Sequence, residues 1–229
     1  SEASDTTTNE IDVTLDAIDV YTGTTAGGGI SDLQASNYET INLQSKKNKA
    51  GTITANEVRT VTAGSAKTIT VTGDADLTLN GLTGSKLTSF DASGLTGKLV
   101  LTTTGNNALA RATYTAPSSQ TTFNFGAGAL NYLDTIKGGA SSLDEVTGSV
   151  GGLTATTGDL DISDVETISL DTTSANTLDL TKVTGADLFV VTTSVQTITG
   201  VDLTSDLRIV ASDASAPGDA TLKITAADS

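Results

Sequence analysis

The chain has 229 residues, with 12 Lys and Arg against 27 Asp and Glu, so its formal net charge at pH 7 is -15. This acidic balance argues against binding to a nucleic-acid backbone. Cysteine and histidine are absent, which excludes disulfides, Ser-His-Asp and Cys-His nucleophile systems, and zinc sites built on those two residues.

The composition predicts an all-β protein. Threonine is the commonest residue, and aromatic residues make up only 3% of the chain. β-branched side chains fit the pleated surface of a strand, and threonine is an ordinary choice for its wet face. Because Trp and Met are absent, we expect a core built mainly from Leu, Ile, Val and Ala. The few large rings are interpreted as core or end-capping residues: Tyr38, Tyr114, Phe123, Phe125 and Tyr132.

Short strands are predicted along almost the whole chain. Residues 1–10 read as a frayed lead-in, and IDVTLDAIDVYTG, from Ile11, alternates as one or two strands do. The Gly-rich stretch TTAGGGIS follows as a turn or loop. Beyond it, apolar pairs two residues apart recur between turn residues, mostly at spacings of about 8 to 12 residues. The clearest pairs are Ile41/Leu43, Ile69/Val71, Leu77/Leu79, Leu99/Leu101, Ile168/Leu170 and Leu178/Leu180.

We interpret this pattern as a right-handed parallel β-helix, or β-solenoid, with short strands. Aliphatic side chains can fill such a core, because each coil places the same position about 4.8 Å from its neighbour. A pair of β-sandwich domains is the alternative, although sandwich cores usually include a large aromatic residue.

Two parts of the chain resemble each other. The strand ETINL, from Glu39, matches ETISL, from Glu166, and the segment starting at Phe90 aligns with the one starting at Val201. These matches predict two diverged copies of one unit. The predicted boundaries are a lead-in with the first strands at 1–29, copy one at 30–116, a degenerate RTX-like middle segment at 117–152 and copy two at 153–229.

The motifs resemble a known family. DASGLTG from Asp91, NTLDLTKVTG from Asn176 and the two ETI strands resemble the β-strand repeats of type I-secreted bacterial surface-layer proteins and related RTX-type proteins. The stretch FNFGAGALNYLDTIKGGASSLDEV, from Phe123, looks like a degenerate form of their calcium-binding nonapeptide. The resemblance implies a secreted protein that folds outside the cell with calcium and assembles into a two-dimensional lattice, with another region anchoring the coat to lipopolysaccharide.

Calcium is the ligand that the residue inventory favours, because hard cations bind carboxylate, amide and carbonyl oxygens. In TGDLDISD, Asp159 and Asp161 stand two residues apart and Asp164 follows. Side chains projecting to one side at that spacing repel unless a cation lies between them. Other predicted calcium ligands are Asn131, Asp134, Asp74 and Asp76. The alternative for all of these acids is a solvated turn.

We expect a structural, non-enzymatic protein of a bacterial surface layer, secreted to the cell surface and assembling with itself. We expect no membrane insertion, since no apolar run approaches the roughly 20 residues of a spanning helix. A secreted adhesin or polysaccharide-binding module is the alternative. A polysaccharide lyase or hydrolase is a third reading, because carboxylate pairs cleave glycosides. The basic stretch KKNK, with Lys46, Lys47 and Lys49, serves solubility or contacts an anionic glycolipid or an acidic neighbour.

Overall fold

The structure is a computed structural model that describes residues 8–16, 30–48, 54–104, 111–131, 133–150, 160–171, 177–193, 197–201, 206–211 and 223–226. All regular structure in these ranges is β. Every strand pairing in them is parallel. Nowhere in them is there a helix of sufficient length and apolarity to cross a membrane.

The strands, in chain order, are β1 (Glu10–Asp16), β2 (Leu33–Gln34), β3 (Thr40–Lys46), β4 (Ala55–Val58), β5 (Val61–Thr62), β6 (Thr68–Gly73), β7 (Asp76–Thr83), β8 (Ser89–Leu95), β9 (Leu99–Thr103), β10 (Thr113–Thr115), β11 (Thr121–Leu130), β12 (Thr135–Lys137), β13 (Glu145–Val150), β14 (Asp161–Ser163), β15 (Thr167–Asp171), β16 (Thr177–Asp179), β17 (Val183–Thr184), β18 (Leu188–Thr193), β19 (Thr197–Val201), β20 (Asp206–Ala211) and β21 (Lys223–Ala226).

The chain winds between two long parallel sheets. Sheet A has 8 strands in the order β1-β3-β6-β8-β10-β12-β14-β17, and sheet B runs β2-β5-β7-β9-β11-β13-β15-β18-β20, with β4 paired to β7. A third sheet, C, adds β16-β19-β21 near the end of the described chain. From β5 to β15, strands that follow each other in sequence therefore lie in different sheets. The fold is a parallel β-solenoid, which confirms the predicted parallel β-helix and not the β-sandwich alternative.

Apolar side chains stack in register inside the solenoid. In sheet A, Ile41 pairs with Ile69, and Leu43 pairs with Val71. All four side chains are buried, whereas Asn42 and Thr70, which lie between them, are half-buried on the outer face. Successive residues of a strand point to opposite faces, so the alternation of the sequence becomes an apolar interior and a polar, hydroxyl-rich exterior.

The core is mainly aliphatic, as expected, and it contains one aromatic cluster near its middle. Phe90 and Tyr114 are register partners in sheet A, and Phe123 and Phe125 enter from β11 of sheet B. The Tyr114 ring centroid lies 4.9 Å from that of Phe125 and 6.2 Å from that of Phe123. Gly148 is the register partner of Phe125, and a Cβ there would stand 2.9 Å from the Phe125 Cβ. The core reading of Tyr114, Phe123 and Phe125 is confirmed, and Tyr132 lies outside the described residues.

The two ETI strands occupy different sheets. The strand that follows Glu39 is β3 of sheet A, and the strand that follows Glu166 is β15 of sheet B. The described part of 117–152 supplies β11, β12 and β13, which pair with the strands before and after them. The solenoid is thus continuous through that segment, and the predicted domain boundaries stay predictions.

The inward and outward assignment can be tested on one strand. We expect Phe123→Ala to lower the free energy of unfolding by about 3–5 kcal/mol, because it removes a buried ring from the aromatic cluster. The neighbouring Thr122→Ala, on the outer face, should change it by less than about 0.5 kcal/mol. Urea denaturation of both variants measures the difference, and equal effects would contradict the register of β11.

Candidate functional site

Two buried carboxylates lie at corners of the solenoid, where the chain passes from one sheet to the other. Asp134 directly precedes β12, and Asp144 directly precedes β13. Both side chains are buried, with 0% and 2% of their surface exposed. A buried carboxylate is costly unless charge-assisted hydrogen bonds replace its water, so the partners of these two groups decide what they do.

Asp134 joins two coils through backbone amides. Its Oδ1 accepts from the Ala112 N–H at 2.9 Å, and its Oδ2 accepts from the Asn131 N–H at 3.0 Å. Ala112 lies 22 residues earlier, directly opposite in the preceding coil. The Asn131 side chain also turns inward, where its Oδ1 accepts from the Leu133 N–H at 2.7 Å. These two predicted calcium ligands therefore cap backbone groups in this structure.

Asp144 repeats the same arrangement at the next corner. Its Oδ1 accepts from the Thr121 N–H at 2.7 Å, and its Oδ2 accepts from the Gly139 N–H at 2.8 Å. The N–H of Asp144 itself donates to Glu166 Oε2 at 2.8 Å. Glu166 directly precedes β15, so three successive coils are linked by acids at one corner.

A further acid follows the same rule. Glu39 directly precedes β3 and accepts, through Oε2, from the Asn9 N–H at 2.8 Å. In these four cases, the acid placed just before a strand caps the amide opposite it in the preceding coil. The strand ladder has not yet begun at that position, and a buried backbone N–H without a partner would be destabilising.

Burial has the largest effect on the pKa values of the two buried carboxylates. It raises the pKa of Asp134 to about 6, although the N–H groups of Asn131 and Ala112 act in the opposite direction. Burial also raises the pKa of Asp144, against the N–H groups of Gly139 and Thr121, and the Glu166 carboxylate raises it further. Both groups therefore hold a proton more readily than an exposed aspartate.

Asp74 and Asp76 lie at a corner between sheets A and B. Asp74 is exposed, and its Oδ1 accepts from the Lys47 N–H at 3.1 Å. Asp76 accepts, through Oδ1, from the Lys98 N–H at 2.8 Å, one coil further on. These two predicted ligands also act as amide caps, toward opposite neighbouring coils.

The TGDLDISD cluster is partly described. Asp161 begins β14 and pairs with Thr135. Asp164 is exposed and has a left-handed φ of 55°, which aspartate tolerates better than most residues. It lies over Gly138, whose absent Cβ would collide with the Asp164 carbonyl oxygen at 1.5 Å. Asp159, the first member of the predicted cluster, lies outside the described residues.

The described carboxylates fit amide capping better than a calcium shell. Across the described ranges, no three His, Cys, Asp or Glu side chains are grouped so that they could hold a metal ion. Both oxygens of Asp134, and both of Asp144, already accept backbone hydrogen bonds. The calcium site stays a prediction.

Sequence reasoning missed the part played by Asp144 and Glu166. The signal was present as an acid directly before the strand in ETI at Glu39, DTI at Asp134, DEV at Asp144 and ETI at Glu166. At these four positions, the acid directly before the strand is an amide cap.

Comparison of the chain with protein-family models, with curated proteins and with solved structures found no match.

The capping role can be tested with a matched pair of variants. We expect Asp144→Ala to lower the free energy of unfolding by about 2 kcal/mol or more, because the Thr121 and Gly139 amides lose their acceptor. Asp187→Ala, at an exposed corner position, makes the same change of charge and should cost little. Thermal and urea unfolding of the two variants give the comparison, and an Asp144 variant as stable as the Asp187 variant would contradict the cap.

The raised pKa of Asp134 predicts a pH dependence of stability. Because the folded pKa of about 6 exceeds the ordinary value of 3.8, the folded state binds the proton more tightly than the unfolded state. The resulting stabilisation is fully present below 3.8 and is lost as the pH rises through about 6. We expect the free energy of unfolding to increase as the pH is lowered from 7 to 5.

Urea titrations across this pH range, repeated on Asp134→Asn, isolate the contribution of that residue. The variant should show a shallower slope than the wild type, whereas Asp187→Asn, with the same charge change at an exposed position, should keep the wild-type slope. An unchanged slope in the Asp134 variant would show that this carboxyl does not carry the effect.

Proposed function

We propose that this chain is a structural segment of a bacterial surface layer. In this proposal it is exported by a type I channel, lies at the cell surface, and assembles with copies of itself into a two-dimensional lattice with the help of calcium. The observation that carries the proposal is the continuous parallel solenoid, because it is the architecture expected of the repeat motifs on which the resemblance rests.

The DASGLTG motif has a purely architectural role in this fold. Asp91 accepts, through Oδ1, from the Ser93 N–H at 2.9 Å, at the point where β8 bulges against β6. Leu95 then returns to the core. Gly97 allows close approach of the previous coil, since a Cβ there would lie 2.3 Å from the Ala75 carbonyl oxygen. Leu95 and Gly97 thus help one coil to pack on another, which favours a scaffold protein.

The buried carboxylates also support a structural role. A glycosidase needs one carboxyl as acid and another as base or nucleophile across an open cleft. Asp134 and Asp144 are instead enclosed, and each oxygen accepts from a backbone amide. Their placement favours the joining of coils over catalysis. The proposal assigns calcium to contacts outside the described corners, and attachment to lipopolysaccharide to another region of the protein.

A polysaccharide-binding module or adhesin is the second candidate. It is favoured by an open depression at the end of β3 and β6, lined by Gln44, Lys46, Lys47, Gly73 and Asp74. These groups offer hydrogen bonds and charge to a surface glycan, although the lining includes no aromatic ring. Binding on a glycan array that Lys46→Ala and Lys47→Ala abolish would favour this candidate.

Electron microscopy tests the lattice proposal directly. We expect purified protein, stripped with EDTA and then given calcium, to form ordered two-dimensional sheets, and magnesium at the same concentration serves as the control. Dispersed particles under all conditions, together with specific glycan binding, would replace the lattice with the second candidate.

A further inference from the structure

The solenoid has two opposite edges, along which charged residues are distributed unevenly. Connections from sheet A to sheet B lie on one edge, and connections from sheet B back to sheet A lie on the other, because the strands of the two sheets alternate from β5 to β15. The second edge is built from stacked four-residue turns. In each turn, the fourth N–H donates to the first carbonyl: Tyr38 to Ala35, Ala66 to Ala63, Leu87 to Gly84 and Asp134 to Asn131, at 3.3, 3.0, 3.4 and 3.1 Å.

This second edge presents a row of basic side chains, here called the basic edge. Lys67, Lys86 and Arg111 are all exposed. Lys67 directly precedes β6, Lys86 lies in the turn that leads into β8, and Arg111 lies two residues before β10. These strands are neighbours in sheet A, and successive coils are about 4.8 Å apart, so the three residues lie on neighbouring coils. The described residues of these connections, 63–67, 84–88 and 111–112, include no acid.

The opposite edge is acidic toward the later coils. Asp164, Glu166 and Asp187, here called the acidic corner, lie in the two consecutive connections before β15 and β18. Asp164 and Asp187 are exposed, and Glu166 is partly exposed. The Asp187 N–H donates to the Glu166 carbonyl oxygen at 2.9 Å, which fixes one connection on the other. Neither connection contains a basic residue.

We propose that the basic edge of one copy binds the acidic corner of a second copy, so that solenoids pack side by side. The inference rests on the proposed lattice function and names one of its contacts. Because the two patches differ and lie on opposite edges, the contact is heterologous and leaves a free patch at each end. Repetition therefore gives an open row of molecules rather than a closed dimer.

Charge complementarity favours a second copy as the occupant. A formal net charge of -15 makes two copies repel at long range, and a local match of opposite charges offsets this repulsion where the copies meet. Such a match between exposed groups is screened by salt, with a Debye length of about 10 Å at 0.1 M. The contact should therefore weaken strongly as the ionic strength rises.

The experiment compares two triple variants with the same change in net charge. Lys67→Glu, Lys86→Glu and Arg111→Glu together reverse the basic edge. Arg59→Glu, Lys98→Glu and Lys137→Glu reverse three exposed basic residues outside the basic edge. Sedimentation velocity at low and high salt measures self-association, and electron microscopy with calcium records sheets. Thermal unfolding verifies that each variant folds, and the corresponding triple alanine variant replaces the first if it does not.

We expect the association constant of the basic-edge variant to fall at least about tenfold at low salt, while the control variant retains wild-type association. A basic-edge variant that associates as the wild type does would overturn the inference, and sheets formed by that variant would leave the lattice proposal intact. Salt-sensitive association through the basic edge without any sheets would sustain the inference and count against the lattice.

Two further outcomes would also overturn the inference. The first is a wild-type chain that stays monomeric at all concentrations and salt levels. The second is loss of binding to vesicles containing lipopolysaccharide in the basic-edge variant while its self-association is unchanged, because the partner would then be an anionic lipid.

Discussion

The structure depends on one constraint, that every coil must pair its backbone with the coils on either side. Within the strands the parallel ladder meets this requirement. At the corners the ladder is less regular, and carboxylate side chains add acceptors to the backbone hydrogen bonds there. Asp134, Asp144 and Glu166 each accept an amide from the coil before their own. The corners are thereby ordered along with the sheets.

This use of acids changes how the strong negative charge of the chain is understood. Some of the acidic residues are buried. Their carboxylates lose water and accept hydrogen bonds from amide N–H groups instead, at a cost in desolvation free energy. Asp134 and Asp144 show that cost in their raised pKa values. The remaining exposed acids are spread unevenly, and the contrast between the two edges of the solenoid follows from that distribution.

The sequence was sufficient to predict the strands and the parallel stacking. Apolar and polar residues alternate around Ile41 and Leu43, and the same pattern recurs at short intervals. A parallel solenoid buries such a series of aliphatic residues in one core. The corner chemistry could not be predicted in the same way. In a sequence, an acid in a solvated turn, an acid that binds a metal and an acid that caps an amide look the same. The partner of Asp134 is also 22 residues away in the chain.

Packing details were beyond sequence reasoning for a related reason. The aromatic cluster forms because Phe90 and Tyr114 come from one sheet and Phe123 from the other, and only the winding of the chain brings them together. Glycine is required at position 148 because a Cβ there would collide with the Phe125 side chain of the preceding coil. Such relations depend on which residues lie opposite each other, and that register is fixed only when all coils are in place.

The occurrence of the ETI strand in sheet A at one point and in sheet B at another has an evolutionary consequence. One strand with its corner is a unit that either wall of the solenoid accepts. Insertion or loss of a single unit would exchange the two walls for every later coil while preserving the interior. Such an event would carry surface residues from one flank of the molecule to the other, and would offer a short genetic route to new neighbours without a new fold.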